Sequence, residues 1–440
     1  MNQLKMKQKL SYAMGGLSLN LANLVISQWL LKLYVPNKEE ALVPGFLFAA
    51  IFLVGRVVDG VTEPIAGFVS DHHRSRRGRR IPFIMAMTLP AAIITFLLWV
   101  PPVPGAMHWA NAVWVFALVQ LFFICWSLLA NPYMALLPEI TSDLGERVNI
   151  STYQAVFLMV GTLVFGVMGP IKDALGWAGL GLVTGCLTVA SFVPTMLAIR
   201  EKPSDTGSAT AAEKMRFSMI FQWARTTFHN RPFRYLLGAT AVFWFGLNMI
   251  ILIIPFWTQY VLGRSDRDVV LLMAPLLATN IIFFFVFNYL SKRFGKYPVM
   301  LLTFILAAFT MPLLWLVSTA PGADAMLHTQ IVMACIGMPV AGIMILPYAI
   351  LSDVIDHDET LTGKQREGIY VGVQAIFQKI AIGVSIAVAT ALMYFGGDAR
   401  PTELGLKLIA AAAGLSSLIA FAVFLRYPIR EKDGKAYIKD

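Results

Sequence analysis

The chain alternates between long apolar runs and short polar breaks. Twelve of the runs are long enough to cross a hydrocarbon core about 30 Å thick, which takes about 20 residues of helix. They fall at residues 10–34, 42–69, 81–101, 110–136, 151–170, 177–199, 235–261, 268–291, 297–318, 327–351, 367–395 and 403–427. The runs are continuous rather than alternating residue by residue. This excludes a membrane barrel and predicts helices, which satisfy their backbone groups within each segment. The expected fold class is an all-α membrane protein of twelve transmembrane helices. The polar stretch 200–234, with Pro203, Ser204, Asp205 and Gly207, reads as a cytoplasmic linker. It separates an N-terminal six-helix bundle, 1–199, from a C-terminal six-helix bundle with a cytoplasmic tail, 235–440.

The halves repeat one another. Pro132-Tyr133 near the end of span 4 recurs as Pro347-Tyr348 near the end of span 10. Gly78, in the basic loop after span 2, recurs as Gly295 after span 8. Two matches at nearly one offset predict a duplicated half. Parallel six-helix halves resemble the major facilitator superfamily layout, which implies a substrate site near the midplane between them.

Composition agrees with the pattern. Hydrophobic residues make up 58% and charged residues 14%, against about a quarter charged in soluble domains. The net charge of +10 does not point to nucleic acid, because the basic residues gather in particular loops. With the N-terminus cytoplasmic, the outer loops hold only Lys38, Lys172, Arg264, Arg267 and Arg400. Lys32, Arg56, Lys379 and Lys407 lie in or at the ends of spans, and the other 26 of the 35 Lys and Arg are cytoplasmic. That bias predicts both termini inside, in a multi-pass bacterial inner (plasma) membrane protein. The first apolar run is long and lacks a small-residue cleavage site, so it is expected to stay as a membrane helix.

No enzyme is expected. The sequence offers no nucleophile elbow, phosphate-binding loop or metal-ligand cluster. Cys125, Cys186 and Cys335 fall in apolar runs as packing residues, and His108, His229, His328 and His357 are read as loop residues. A receptor or scaffold without transport is the competing class.

The informative residues are the charges within the spans. Arg56, Asp59 and Glu63 are spaced i, i+3 and i+7 on span 2 and share one helical face. Ionised groups at mid-bilayer cost at least about 2.5 kcal/mol each to insert. Two acids a turn apart also repel unless a cation or proton sits between them. The pair therefore reads as a cation site, against the blander reading of an Arg56–Asp59 ion pair that only locks helices together. Span 11 carries Lys379, about 18 Å from its cytoplasmic end at 1.5 Å per residue. The same rise puts Asp59 at about 16 Å, Asn20 at about 15 Å and Ser127 at about 13 Å, a common depth that predicts one aqueous site. Trp126, Trp244, Trp257, Tyr133 and Gln259 are candidates to line a sugar pocket. Asp71, Arg77, Asp353 and Arg366, among the charges beside the cytoplasmic ends of spans 2, 10 and 11, are candidates for gating contacts. Asp356, Asp358 and Glu359 extend the acidic cluster that follows span 10.

Together these residues resemble the glycoside-pentoside-hexuronide:cation symporter family of the major facilitator superfamily. The strongest stretch runs from Gly55 to Gly67 and on through Arg74-Ser75-Arg76-Arg77-Gly78-Arg79. It is similar to the family pattern R-x-x-D-x-x-x-D-P-x-x-G followed by R-S-x-x-G. A second stretch from Asp353 to Lys379, with Gly363, Arg366, Glu367, Gly368, Val373 and Gln374, resembles the family's connection between spans 10 and 11. The resemblance implies symport of a sugar or glycoside-like solute with Na⁺ or H⁺ by alternating access. It implies Asp59 and Glu63 as cation-site acids, Thr62 and Ser127 as neighbouring oxygens, and Arg56 as part of the local electrostatics. Substrate contacts would come from Asn20, Lys379, Gln259, Tyr133 and Trp126. No cofactor beyond the coupling ion is implied, and the working unit would be a monomer.

Departures from the family are equally specific. Its melibiose-transporting members place sugar-binding acids on spans 1 and 4, where this chain has Asn20 and Ala130. Met134 stands in place of a tryptophan, and Gln154 and Ala155 occupy the region of a span 5 arginine. Glu63 replaces the usual aspartate. The galactoside half of the site is thus altered while the cation half is kept. A cation-coupled carrier of lysophospholipid or another amphipathic solute is the second reading.

Overall fold

Every predicted apolar run forms a helix. The computed structural model describes residues 5–37, 39–73, 75–141, 144–201, 227–317, 324–362, 367–395, 400–432 and 435–438. Span 1 is two pieces, α1 (Met6–Ala13) and α2 (Gly15–Tyr34), joined at Met14. There follow α3 (Gly45–His72), α4 (Ile81–Leu97), α5 (Trp109–Ile140), α6 (Leu144–Gly166) and α7 (Met168–Ala198). The second half holds α8 (Arg231–Phe256), α9 (Val269–Phe294), α10 (Lys296–Thr310), α11 (Ala325–Thr362), α12 (Glu367–Met393) and α13 (Glu403–Phe424). Among the described residues, eleven helical stretches are long and apolar enough to cross a membrane, and Ile81–Leu97 is a shorter apolar helix. The protein is an integral, multi-pass membrane protein of all-α class.

Local chemistry explains the helix ends. Asn230 caps α8 by accepting from the Phe233 backbone N–H, with Pro232 in the first turn. Thr402 caps α13 in the same way through Gly405. Both satisfy backbone donors that have no partner inside the helix.

The structure differs from the sequence reading at several helix ends. Helix α6 ends at Gly166 and α7 restarts at Met168 around Val167, and Gly176 (φ 71°, ψ −174°) breaks α7 inside, so span 6 begins beyond that break, at 177 as read from the sequence. Pro170 then sits in the first turn of α7, where its missing N–H costs nothing. Span 10 runs on to Thr362, so Asp353, Asp356, Asp358 and Glu359 lie on a continuous helix and not in a loop. Hydropathy marks where lipid contact ends, while backbone hydrogen bonding continues into water. His328 and His357 therefore sit on α11, not in loops. The tail forms a small antiparallel hairpin, β1 (Ile429–Lys432) with β2 (Lys435–Ile438), which the hydrophobic pattern did not announce.

Two compact units divide the chain, Met1–Met215 and Arg216–Asp440. In the first, α2 packs on α6 and α7, α3 on α5, and α4 on α5 and α7. In the second, α8 packs on α12 and α13, α9 on α11, and α10 on α11 and α13. Counted by span, the two pairing schemes are identical. The repeat read from two short motifs is therefore a repeat of helix packing. Gly78 (φ 94°) and Gly295 (φ 85°) break the chain at equivalent loops in the left-handed region that favours glycine. The Pro-Tyr motif has diverged instead: Tyr133 is fully buried and Tyr348 is 60% exposed.

Close approach of α2 and α6 depends on missing side chains. A Cβ on Gly161 would lie 2.3 Å from the Leu17 carbonyl oxygen. Small residues permit such backbone contact between membrane helices. Gly161→Leu is expected to cost about 1–3 kcal/mol through overpacking. A lower thermal midpoint of the purified variant checks this; an unchanged midpoint would refute it.

Candidate functional site

The polar face of α3 is built into a buried network inside the first unit. Arg56 is 5% exposed and Asp59 3%. The Ser127 hydroxyl on α5 donates to Asp59 Oδ1 at 3.0 Å. Arg56 Nη1 lies 3.6 Å from Asp59 Oδ2. Its Nη2 donates to Ser27 Oγ on α2, and its Nη1 to Asn23 Oδ1 at 3.4 Å. The guanidinium also sits over the rings of Phe123, at 4.8 Å, and Phe52, at 5.7 Å. Three helices thus meet at one charge pair.

Glu63 follows one turn along α3, half-buried, and its backbone carbonyl accepts from Asn131 Nδ2 at 3.2 Å. Thr62 donates to the Val58 carbonyl at 2.6 Å, and its oxygen keeps lone pairs that a cation could use. Asp59 and Ser127 bring a carboxylate and a hydroxyl oxygen together, the oxygen types a hard monovalent cation takes, and Thr62 and Glu63 follow within one turn of α3. Arg56 sets the field there: unit charges about 4 Å apart interact by roughly 4 kcal/mol at an effective dielectric of 20.

The other predicted residues are placed differently. Asn20 is half-buried and donates to Thr162 Oγ1 at 2.5 Å, joining α2 to α6. Trp126 is buried against Phe122 and Phe192. Tyr133 stacks on Tyr12 at 4.7 Å, donates to the Tyr12 carbonyl at 2.6 Å, and its own carbonyl accepts from the Tyr12 hydroxyl. Both rings make these contacts within the first unit. In the second unit, Trp257 is buried and donates to Thr329 Oγ1 at 3.2 Å, Gln259 is exposed on a π-helical turn, Trp257–Val261, and Lys379 is half-buried on α12.

Of the gating candidates, Asp353 accepts from Lys296 at 2.6 Å through both oxygens, a contact within its own unit. Arg77 is exposed and its Nη1 lies 3.4 Å from the Met85 sulfur. Arg366 and the side chain of Asp71 lie outside the described residues.

A sequence profile of one transporter family matches residues 11–431. The chain belongs to the MFS/sugar transport protein family. Among its relatives, the isoprimeverose transporter of Lactiplantibacillus pentosus is 21% identical, covering 90% of this chain and 81% of that protein. The sodium-dependent lysophosphatidylcholine symporter 1-B of Danio rerio is 27% identical, covering 98% and 88%. The fold is shared with the crystal structure of the nucleoside transporter NupG, at a TM-score of 0.70 and 10% identity over 96% of this chain and all of that one.

Among the described residues, the buried span 2 network joins α2, α3 and α5 around one charge pair. The sequence reading missed its span 1 members, Asn23 and Ser27. The signal was there: Asn20, Asn23 and Ser27 are spaced i, i+3 and i+7, as are Arg56, Asp59 and Glu63. It also missed Glu201, whose carboxylate accepts from the Arg80 and Ile81 backbone N–H groups at 2.9 and 3.2 Å and caps α4.

Proposed function

We propose that this protein is a cation-coupled symporter of a sugar or glycoside-like solute, with the coupling ion held at Asp59 and Glu63. The observation that carries the reading is Asp59 itself, a buried carboxylate given one hydroxyl by Ser127 and faced by Arg56 at 3.6 Å. Charge in the membrane interior is costly and is retained where it serves transport. Family membership and the likeness to the isoprimeverose transporter support a sugar-like solute. The name of the zebrafish relative supports Na⁺ as the ion and also favours a second reading, a lysophospholipid cargo. Asn20 and Ala130, where melibiose-transporting members carry acids, suit the second reading as well.

Both readings take the protein as a monomer in the bacterial plasma membrane with cytoplasmic termini, and the distribution of Lys and Arg supports the orientation of the termini. A thermal-shift screen of the purified protein against sugars and lysolipids, with and without Na⁺, separates them. A ligand present at 100 times its dissociation constant adds about 2.7 kcal/mol of stability. The expected result is a sugar whose stabilisation requires Na⁺ or low pH. Stabilisation by lysolipid alone would move the assignment to the second reading. No cation dependence with any solute would overturn symport.

A further inference from the structure

Four basic side chains stand at one end of the second unit. Lys292 and Arg293 lie in the last turn of α9, and Arg426 and Arg430 follow the end of α13. Tyr297, at the start of α10, ties this end together. Its ring stacks on Phe424, and its hydroxyl donates to the Leu425 carbonyl at 3.2 Å. The Arg430 guanidinium sits over the same ring at 3.4 Å. Lys292, Arg293 and Arg426 are exposed. Among the described residues, none of the four basic groups pairs with a carboxylate, whereas Lys296 in the same loop is taken up by Asp353.

The surface that leads to this basic end is apolar. Helix α9 carries no charge before Lys292. Ile282, Phe285, Tyr289 and Arg293 are spaced i, i+3, i+7 and i+11, so they share one face of the helix. Ile282 is 59% exposed, Phe285 68% and Tyr289 60%. Arg293 Nη1 donates to the Tyr289 hydroxyl at 3.2 Å, which fixes the guanidinium at the foot of the stripe.

We propose that the ends of α9 and α13 form a binding site for the phosphate headgroup of an anionic phospholipid, held by Arg293 and Arg426 with Lys292 beside them. The inference concerns the bilayer and is independent of the transported solute. A guanidinium fork meets phosphate oxygens two at a time and is weakly hydrated, so it gives up little water in doing so. With the headgroup at Arg293, an acyl chain lies along Tyr289, Phe285 and Ile282. That continuity selects a lipid over a free anion or an acidic protein, neither of which brings an apolar half to lay along the helix. With the termini cytoplasmic, as the distribution of Lys and Arg predicts, these helix ends meet the cytoplasmic leaflet, whose surface is negative.

The test titrates phosphatidylglycerol in mixed micelles into the purified full-length protein and reads the thermal midpoint. Phosphatidylcholine with the same acyl chains, and inorganic phosphate, are run beside it. Phosphatidylglycerol is expected to raise the midpoint at concentrations where the other two do not. Arg293→Ala and Arg426→Ala should each raise its half-saturating concentration about fivefold, which is about 1 kcal/mol. Arg76→Ala, which removes an exposed arginine from the first unit, should change it less than twofold. An equal loss in Arg76→Ala would show dispersed surface charge and overturn the site. Equal protection by phosphatidylcholine, which carries no net charge, or by inorganic phosphate, which has no chain, would overturn it as well. So would a half-saturation unchanged within twofold in both Arg293→Ala and Arg426→Ala. If one of these variants does not yield folded protein, the other decides. None of these measurements uses solute or coupling ion, so the assignment at Asp59 stands or falls separately.

Discussion

Asp59→Asn is expected to carry solute only down its gradient. The variant keeps the volume of the side chain and a group to accept from Ser127, so packing of α3 against α5 should survive. It removes the charge proposed to attract the cation, which faces Arg56 at 3.6 Å. Coupling is a reciprocal free energy: a cation that tightens solute binding is tightened by the solute to the same extent. Couplings of about 1–3 kcal/mol correspond to about 5–150-fold in affinity, and that factor should fall to one. The measurement is uptake into proteoliposomes with an imposed Na⁺ or H⁺ gradient, beside counterflow without one. Accumulation should vanish while counterflow persists in part. If Asp59→Asn still concentrates solute, Asp59 serves only to lock helices together.

Arg56→Ala should produce the largest loss of stability. Removing one partner of a buried ion pair leaves the other charge uncompensated and costs about 3–5 kcal/mol. The variant also strips Phe52 and Phe123 of the guanidinium and leaves Ser27 and Asn23 without their donor. Combining it with Asp59→Asn removes the stranded charge, so the double variant should regain more than half of the loss. Reversible unfolding in mixed micelles measures all three proteins. A single variant within 1 kcal/mol of the parent, or a double variant no better than the single, would show that the pair is not electrostatically coupled.

The charges of span 2 were readable because charge within an apolar run is rare and helical spacing puts Arg56, Asp59 and Glu63 on one face. Ser127 was readable by depth, since equal counts of residues from one membrane face place groups at equal height. Depth fixes height and not direction, however. It put Asn20 in the same layer as Asp59, and the structure gives Asn20 a partner on α6, Thr162. The contacts of the aromatic candidates were not legible, because a ring that can stack on a sugar is chemically the same as one that packs on Tyr12 or Phe192. The i, i+3, i+7 run of Asn20, Asn23 and Ser27 carried information that was overlooked, since neutral polar residues are common in membrane helices.

What the sequence determined by itself is the list of spans and the duplication of halves. Lipid enforces both, because every backbone group in hydrocarbon must be satisfied within a helix and each helix must be about as long as the bilayer is thick. What only the tertiary structure decided is which polar groups meet. The partners of Arg56 lie 29 and 33 residues away on another helix, and Ser127 lies 68 residues from Asp59. No local pattern encodes which faces turn toward each other. That is settled by where small residues such as Gly161 let backbones approach, and by the energy of leaving a buried charge without a partner.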